Sequence, residues 1–215
     1  MYLDVKTDFS FLKAYGSPDQ VVARALELGH KWVGIADVGG AWGHIPFWNA
    51  CKGKVLPIFG VQLAVVSKFT DKDATHDLVT LLAMDDEGLR NQYEAISVAT
   101  GQFYYRPRLT WDQVSKIKKN VIIVNRVTPA SEKHIPKAAY VGFGLDPSYT
   151  RSLCEGRPNA LSIAPQYPRA DDAEAFQLMC AIGSGQRAAS VPITGRYMMN
   201  RGELEATLDL SLIHI

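Results

Sequence analysis

The sequence lacks an excess of charge of either sign, because 23 Lys and Arg residues stand against 22 Asp and Glu residues in a chain of 215. Such a balance gives no overall field that would attract a nucleic acid, so any such contact has to come from a local patch. The sequence also has no basic segment followed by an apolar run near Met1, and no apolar run of the ~18 residues that a membrane span needs. We therefore expect a soluble, cytoplasmic protein without membrane contact.

Cysteine is scarce as well. Cys51, Cys154 and Cys180 are far apart and form no CxxC or Cys/His pair at metal-ligand spacing. They are typical of ordinary thiols in a reducing compartment. No low-complexity linker divides the chain, and 47% of its residues are hydrophobic, which is enough for one substantial core.

What the sequence does contain is an alternation of strand and helix signals. Ser17, Pro18 and Gln20 open a helix with a capping box, and Thr110 with Gln113 opens another. The predicted strands are YLDV, WVGIAD, VLPIFGVQLAVV, HDLVTLLAM, NVIIVN, AAYVGFG and ALSIA, and the other predicted helices are IPFWNACK, DDEGLRNQYEAISVAT, PSYTRSLC and DDAEAFQLMCAIGSG. This alternation predicts a mainly parallel sheet or barrel, whose functional site lies at the carboxyl ends of the strands.

Several polar residues fall at or near those strand ends, namely Asp4, Lys6, Asp37 and Gln62. Side chains alternate along a strand, so Asp4 and Lys6 should point to the same side. That is where an active-site strand would present two metal ligands, yet a lysine ammonium has no lone pair to offer.

The blocks YLDVKTDFSFL, ALELGHKWVGIADVGGAWGHIPFWNACK, LPIFGVQLAVV, LVTLLAMDDEGLRNQYEAISVAT, FYYRPRLTWDQV and DAEAFQLMCAIGSGQ occur in an order that resembles one known family. It is the N-terminal polymerase-and-histidinol-phosphatase (PHP) domain of bacterial DNA polymerase III alpha subunits. The resemblance runs from Tyr2 to Leu208 and is weakest between Asn125 and Ser162. It implies a distorted TIM-like (β/α)7 barrel that is abbreviated in its middle units, with residues 1–209 as the domain.

The resemblance also implies where a metal site would lie. Metal-binding members carry two histidines at the positions of Asp4 and Lys6, and an Asp-His pair at Asp37 and Val38. A ligand glutamate falls on Gln62, and a strand-start histidine falls on Leu78, two residues from His76. Where the family has Asp-x-His, this chain has Pro165, Gln166 and Tyr167. The implied site is degenerate, so we expect neither a bound metal nor a catalytic residue in it.

Two arrangements of Asp4, Lys6 and Asp37 remain open. They form an ion-pair cluster in place of the metal, or they are solvated residues on the rim of the barrel.

Other candidates favour ordinary structural roles. We expect His30, His44 and His134 to be solvated, GSGQRAAS to be a surface turn without a nucleotide, and the basic run KIKK to lie on the solvent face of a helix. The segment FYYRPR could stack on a nucleic acid, but packing onto the barrel is favoured.

The resemblance implies a part of a replicative polymerase, bacterial or phage-encoded. Such a domain would act as a scaffold and as a docking surface for a proofreading exonuclease, with DNA bound through the full polymerase and Mg²⁺ needed only by the polymerase core. A stand-alone PHP metal-dependent phosphoesterase or 3′-5′ exonuclease is the alternative, and a binding module without a role in replication is a third. The apolar ending LSLIHI, residues 210–215, is expected to be a non-native read-through tail.

Overall fold

The computed structural model of the chain describes residues 1–69, 76–126, 131–143 and 158–207. These residues form a mixed α/β fold. Its strands are β1 (Trp32–Val38), β2 (Leu56–Val66), β3 (Asp77–Ala83), β4 (Arg108–Thr110), β5 (Asn120–Arg126), β6 (Tyr140–Phe143) and β7 (Asn159–Leu161). Its helices are α1 (Pro18–Glu27), α2 (His44–Cys51), α3 (Asp86–Gly101), α4 (Trp111–Val114), α5 (Ala173–Ser184) and α6 (Arg201–Thr207). No helix among the described residues is long and apolar enough to cross a bilayer.

All seven strands belong to one sheet, in the order β1-β2-β3-β5-β6-β7, with β4 paired to β2. The pairs β1·β2, β2·β4, β5·β6 and β6·β7 are parallel, as the alternation of elements predicts. The exception in this mainly parallel sheet is β3, which runs antiparallel to both β2 and β5. The predicted strands VLPIFGVQLAVV and HDLVTLLAM follow each other without a helix, and consecutive strands without a crossover pair antiparallel.

The first segment, YLDV, is not a strand of the sheet. Val5 alone forms an isolated parallel bridge, to Ile35 of β1. The segment lies so close to β1 that a Cβ atom on Gly34 would stand 2.3 Å from the main-chain oxygen of Leu3. A glycine at this position therefore lets the N-terminal segment pack directly on the backbone of β1.

Two helix predictions have different outcomes. The capping box at Ser17 is present, with Gln20 as the reciprocal partner. The helix predicted to open at Thr110, TWDQVSKIKK, is shorter than expected. Helix α4 ends at Val114, and Lys119 has a positive φ of 57°. The basic run KIKK consequently lies in an exposed turn rather than on a helix. The predicted helix PSYTRSLC, with Cys154, and the tail 210–215 lie outside the described residues.

Three clusters of buried apolar side chains hold the fold together. The first lies between the sheet and α3 and includes Leu81, Ala99 and Leu109. The second joins the N-terminal segment, α1, β1 and α2, and it also contains Met198. The third is centred on Tyr167 and Phe176 beside α5. Since Met198 is 0% exposed in the second cluster, residues late in the chain complete a core begun by the first ones.

Candidate functional site

A cavity of about 880 Å³ opens beside the end of β1, and we call it the cleft. Six of the positions named from the resemblance line it, although they come from different parts of the chain. They are Lys6, Val38, Gln62, His76, Leu78 and Gln166. The fold therefore brings these residues to one cavity.

The two carboxylates predicted for the same place are buried instead of lining the cleft. Asp37 is 0% exposed and accepts three hydrogen bonds. The main-chain N–H of Thr7 and the hydroxyl of Ser10 both donate to its Oδ1 at 2.7 Å, and the Thr7 hydroxyl donates to its Oδ2 at 2.8 Å. These three hydrogen bonds therefore connect the turn that follows the N-terminal segment to the end of β1.

Asp4 is held by a chain of hydrogen bonds that crosses the sheet. The Thr80 hydroxyl on β3 donates to the Asn125 Oδ1 atom on β5 at 2.7 Å. The Asn125 amide donates to the Ser162 Oγ atom at 2.8 Å, and the Ser162 hydroxyl donates to the Asp4 Oδ2 atom at 2.7 Å. The Ser162 hydroxyl therefore engages the Asp4 carboxylate, at a position where the resemblance implies a metal ligand, and Asn125 in turn holds Ser162.

Lys6 lies between these two carboxylates in an interior position. Its side chain is 3% exposed, and Nζ donates to the main-chain oxygen of Asp4 at 3.3 Å. Burial lowers the pKa of Lys6, and the charges of Asp4 and Asp37 raise it in part. The solvated-rim arrangement is wrong about exposure, because all three side chains are buried. Within the described part of the chain, Lys6 forms no direct salt bridge, so the interaction with both carboxylates acts through space.

Two guanidinium groups form hydrogen bonds with the ring of His76. Arg106 Nη1 and Arg126 Nη2 each lie 2.8 Å from its Nε2 atom. A guanidinium can only donate, so Nε2 is the acceptor and carries no proton. The lone pair that could bind a metal is directed at cations instead.

The positions Pro165, Gln166 and Tyr167 serve the backbone and the core. The Pro165 oxygen accepts a hydrogen bond from the main-chain N–H of Lys6 at 2.8 Å. Gln166 lines the cleft and accepts a hydrogen bond from Arg196, while Tyr167 is 2% exposed and donates to the Ile193 oxygen at 2.7 Å. None of the three has the chemistry of the family's Asp-x-His ligands.

The prediction that His44 is solvated is wrong. Its ring is 2% exposed, with Nε2 2.9 Å from the Gly60 oxygen and Nδ1 3.3 Å from the Tyr93 hydroxyl. Burial lowers the pKa of His44, although the Gly60 contact and Asp37 oppose that shift. His30 is half-buried, and burial likewise lowers its pKa, whereas His134 is exposed as predicted.

The segment FYYRPR is divided between packing and exposure. Arg108 is buried, donates to the Phe69 oxygen at 2.9 Å and lies 5.0 Å from the ring of Tyr104. Phe103 and Tyr105, however, are 61% and 78% exposed and line the cleft. The packing prediction is therefore wrong for these two rings.

The described residues contain no group of three or more His, Cys, Asp or Glu side chains that could hold a metal ion. The side chains around the cleft do not fit a divalent cation, because an ammonium, an amide and two apolar groups replace the ligands. Nothing in the sequence indicated the residues that donate hydrogen bonds to the carboxylates, Thr7, Ser10 and Ser162, or Asn125, which donates to Ser162. Hydroxyl residues in turns are too common to signal such a role.

The family model and the sequence relatives that match this chain point to the same family. The PHP domain family model matches residues 3–160. DNA polymerase III subunit alpha of Aquifex aeolicus is 32% identical over 57% of this chain, and that of Chlamydia trachomatis is 33% identical over 57%. The chain covers only 12% and 11% of the lengths of these two relatives.

A solved amidohydrolase from Chromobacterium violaceum, with bound sulfate and no metal, is similar in fold. It covers 79% of this chain and 88% of its own, with a TM-score of 0.52 and 9% identity. At that identity the likeness concerns the fold alone.

Proposed function

Because this chain belongs to the PHP domain family, we propose that it is the N-terminal PHP-like domain of a replicative DNA polymerase III alpha subunit and serves DNA replication as a structural scaffold. The observation that carries the proposal is the buried ammonium of Lys6 at a position where metal-binding members have a ligand. An ammonium there repels a divalent cation and cannot bind it. We propose that the metal site has been lost.

The fold that we propose is an abbreviated, distorted TIM-like (β/α)7 barrel. Seven strands in one sheet, four parallel pairs among them, support it. The N-terminal segment, which forms an isolated bridge instead of a regular strand, supports the distortion, and the short strands β6 and β7 support the abbreviation.

As a scaffold, the domain would contact the rest of the polymerase and a proofreading exonuclease. Helix α2 supports a docking role, because Ile45 and Trp48 are 69% and 48% exposed on one side of it. Nucleotidyl transfer, with its Mg²⁺, and the contact with DNA would then belong to regions of the polymerase that this chain does not include.

The stand-alone phosphoesterase or exonuclease is the competing function, and metal content separates the two. We expect elemental analysis of the full chain, after dialysis, to give far less than one zinc or manganese per chain. With added Mn²⁺, hydrolysis of bis(p-nitrophenyl) phosphate should stay at the rate of buffer alone. One equivalent of metal, lost together with hydrolysis in Asp37→Ala, would establish the phosphoesterase instead.

Genomic sequence around the coding region tests the link to replication. We expect the reading frame of the natural gene to continue into polymerase sequence beyond Thr207. A gene that ends there in its genomic context would favour the isolated binding module.

A further inference from the structure

The cleft has an unusual distribution of charge. Among the described residues that line it, five carry positive side chains and none is Asp or Glu; the five are Lys6, Lys13, Arg106, Arg126 and Arg196. The whole chain, by contrast, is balanced at +1. The local excess is therefore a property of this surface alone.

Four of these cations form no salt bridge with a carboxylate of the part of the chain that the structure describes. The salt bridges among the described residues lie elsewhere, at Arg24–Glu27, Arg169–Glu27, Lys119–Asp85 and Arg201–Glu205. Arg106 and Arg126 donate to neutral His76, and Arg196 donates to the neutral amide of Gln166. Lys6 differs from these four, since Asp4 and Asp37 act on it through space.

The cations are also close enough to repel one another. Both guanidinium groups that bond His76 converge on one nitrogen atom. Lys13 stands near Arg106, and burial together with that neighbouring charge lowers the pKa of Lys13. An anion in the cleft would relieve this repulsion and gain charge-assisted hydrogen bonds.

Exposed aromatic rings surround the same charges. Phe11 and Tyr105 are each 78% exposed, Trp42 is 62% and Phe103 is 61%, and all four line the cleft. Aromatic faces beside arginine and lysine are the combination on which bases stack while phosphates are neutralised. This arrangement favours a phosphate that is attached to a nucleoside over a simple inorganic anion.

We propose that the cleft is a metal-independent binding site for nucleotide phosphate, either of a free nucleotide or of a short single strand of DNA. Arg106, Arg126, Lys13 and Arg196 hold the phosphate, and the exposed rings accept the base. This inference rests on the proposed loss of the metal, because the cations lie beside the positions where metal-binding members of the family have ligands. It adds a ligand to a domain for which only a scaffolding role is proposed.

Calorimetric titration of the full chain in EDTA tests the inference. The probes are 5′-phosphorylated hexathymidylate, the same oligonucleotide with a 5′ hydroxyl, thymidine 5′-diphosphate and inorganic pyrophosphate. We expect the phosphorylated hexamer to bind and its affinity to fall as salt is added. If thymidine 5′-diphosphate binds as tightly as the hexamer, a free nucleotide is the ligand; weaker binding identifies the strand. Pyrophosphate should bind more weakly than either, and equal binding by pyrophosphate would contradict the role of the rings.

Charge-removing variants locate the site. We expect Arg106→Gln and Lys13→Gln each to weaken binding about tenfold, the loss typical of one hydrogen bond to a charged group. The hydrogen bonds of Lys13 to Ser10 and Gln166 use its main-chain atoms, so its variant should fold normally. Arg90→Gln, an exposed arginine on α3 outside the cleft, is the matched control and should bind as the unsubstituted chain does.

The outcomes separate this inference from the proposed function. Absence of binding both in EDTA and with Mn²⁺ would overturn the inference and leave the scaffold standing. Binding that appears only with Mn²⁺ would overturn both, because the metal site would then be intact. Equal losses in Arg90→Gln and Arg106→Gln would show that any surface arginine contributes, which also contradicts a built site.

Discussion

At the residue scale, Lys6 is a charge whose burial costs free energy. Burial, the largest influence, lowers its pKa, so the attraction of Asp4 and Asp37 does not fully offset the loss of water. Lys6→Met is therefore expected to raise the free energy of unfolding at pH 7 by on the order of 1 kcal/mol. Urea melts would measure the change, with Lys116→Met, at an exposed lysine, as a control that should stay within about 0.5 kcal/mol.

The difference in the free energy of unfolding between Lys6→Met and the unsubstituted chain should decrease as pH rises. Between the lowered pKa of Lys6 and its ordinary value of 10.5, the unfolded chain binds more protons than the folded chain does. The unsubstituted chain thus gains stability as pH rises through that window, whereas Met does not titrate. The advantage of Lys6→Met should shrink towards pH 10.5. A loss of stability in Lys6→Met at pH 7 would instead mean that the two carboxylates require the ammonium.

Asp37, in contrast to Lys6, is a buried charge that three hydrogen-bond donors stabilise. Asp37→Ala leaves the Thr7 N–H and two hydroxyls without their acceptor, and we expect it to cost about 3 kcal/mol. Thr7→Val removes one donor and should cost about 1 kcal/mol. Denaturant melts of both, beside Asp171→Ala at an exposed carboxylate, would rank them. Equal losses in Asp37→Ala and Asp171→Ala would contradict the role of the three hydrogen bonds.

At the scale of elements, the contact between β1 and the N-terminal segment positions Lys6. A methyl group on Gly34 would meet the Leu3 backbone, so Gly34→Ala should displace the segment and cost about 2 kcal/mol. Hydrogen exchange at the Val5 N–H, which bonds the Gly34 oxygen at 3.1 Å, should accelerate. Gly101→Ala at the end of α3, with no atom within 4 Å of the new methyl, is the control and should be neutral or slightly stabilising.

Element positions follow from the sequence where a local signal is strong. The capping box at Ser17 and the apolar runs of β1, β2 and β5 fix those elements. The end of α4 has no local signal in the sequence, because the lysines that follow it are good helix formers. Only the structure shows that Lys119 has a left-handed backbone conformation. The strand predicted for YLDV is wrong, because Val5 alone forms a bridge there. That Asp4 and Lys6 share a face stays a prediction, although both are buried.

The site was predictable as a set of positions but not as a set of contacts. The family resemblance implied a common location for Lys6, Val38, Gln62, His76 and Leu78, and these five residues line the cleft. The positive lining could not be predicted, because it joins residues scattered from Lys6 to Arg196 that only the tertiary fold brings together. Net charge, which sums over the whole chain, conceals such an asymmetry.

At the scale of the molecule, residues beyond the family match are integral to the fold. Met198 is fully buried in the cluster of α1, β1 and α2, and the Arg24 Nε atom donates to its oxygen at 3.1 Å. A chain of residues 1–195 should therefore lose at least about 2 kcal/mol, the usual cost of emptying one buried site. Residues 1–207 are the matched control and should unfold at the same urea midpoint as the full chain. Equal midpoints for the two truncations would show that the second core forms without Met198.

The hydrogen bond from the Tyr2 hydroxyl to the Met199 oxygen, 2.9 Å long, spans 197 residues of sequence. A ribosome synthesises Tyr2 long before Met199, which follows it by 197 residues. The apolar side chains of the N-terminal segment consequently stay uncovered until almost the whole domain has left the ribosome. Because contacts so distant in sequence form slowly, the nascent domain remains exposed to aggregation for most of its synthesis. Early association with a chaperone would shorten that exposure.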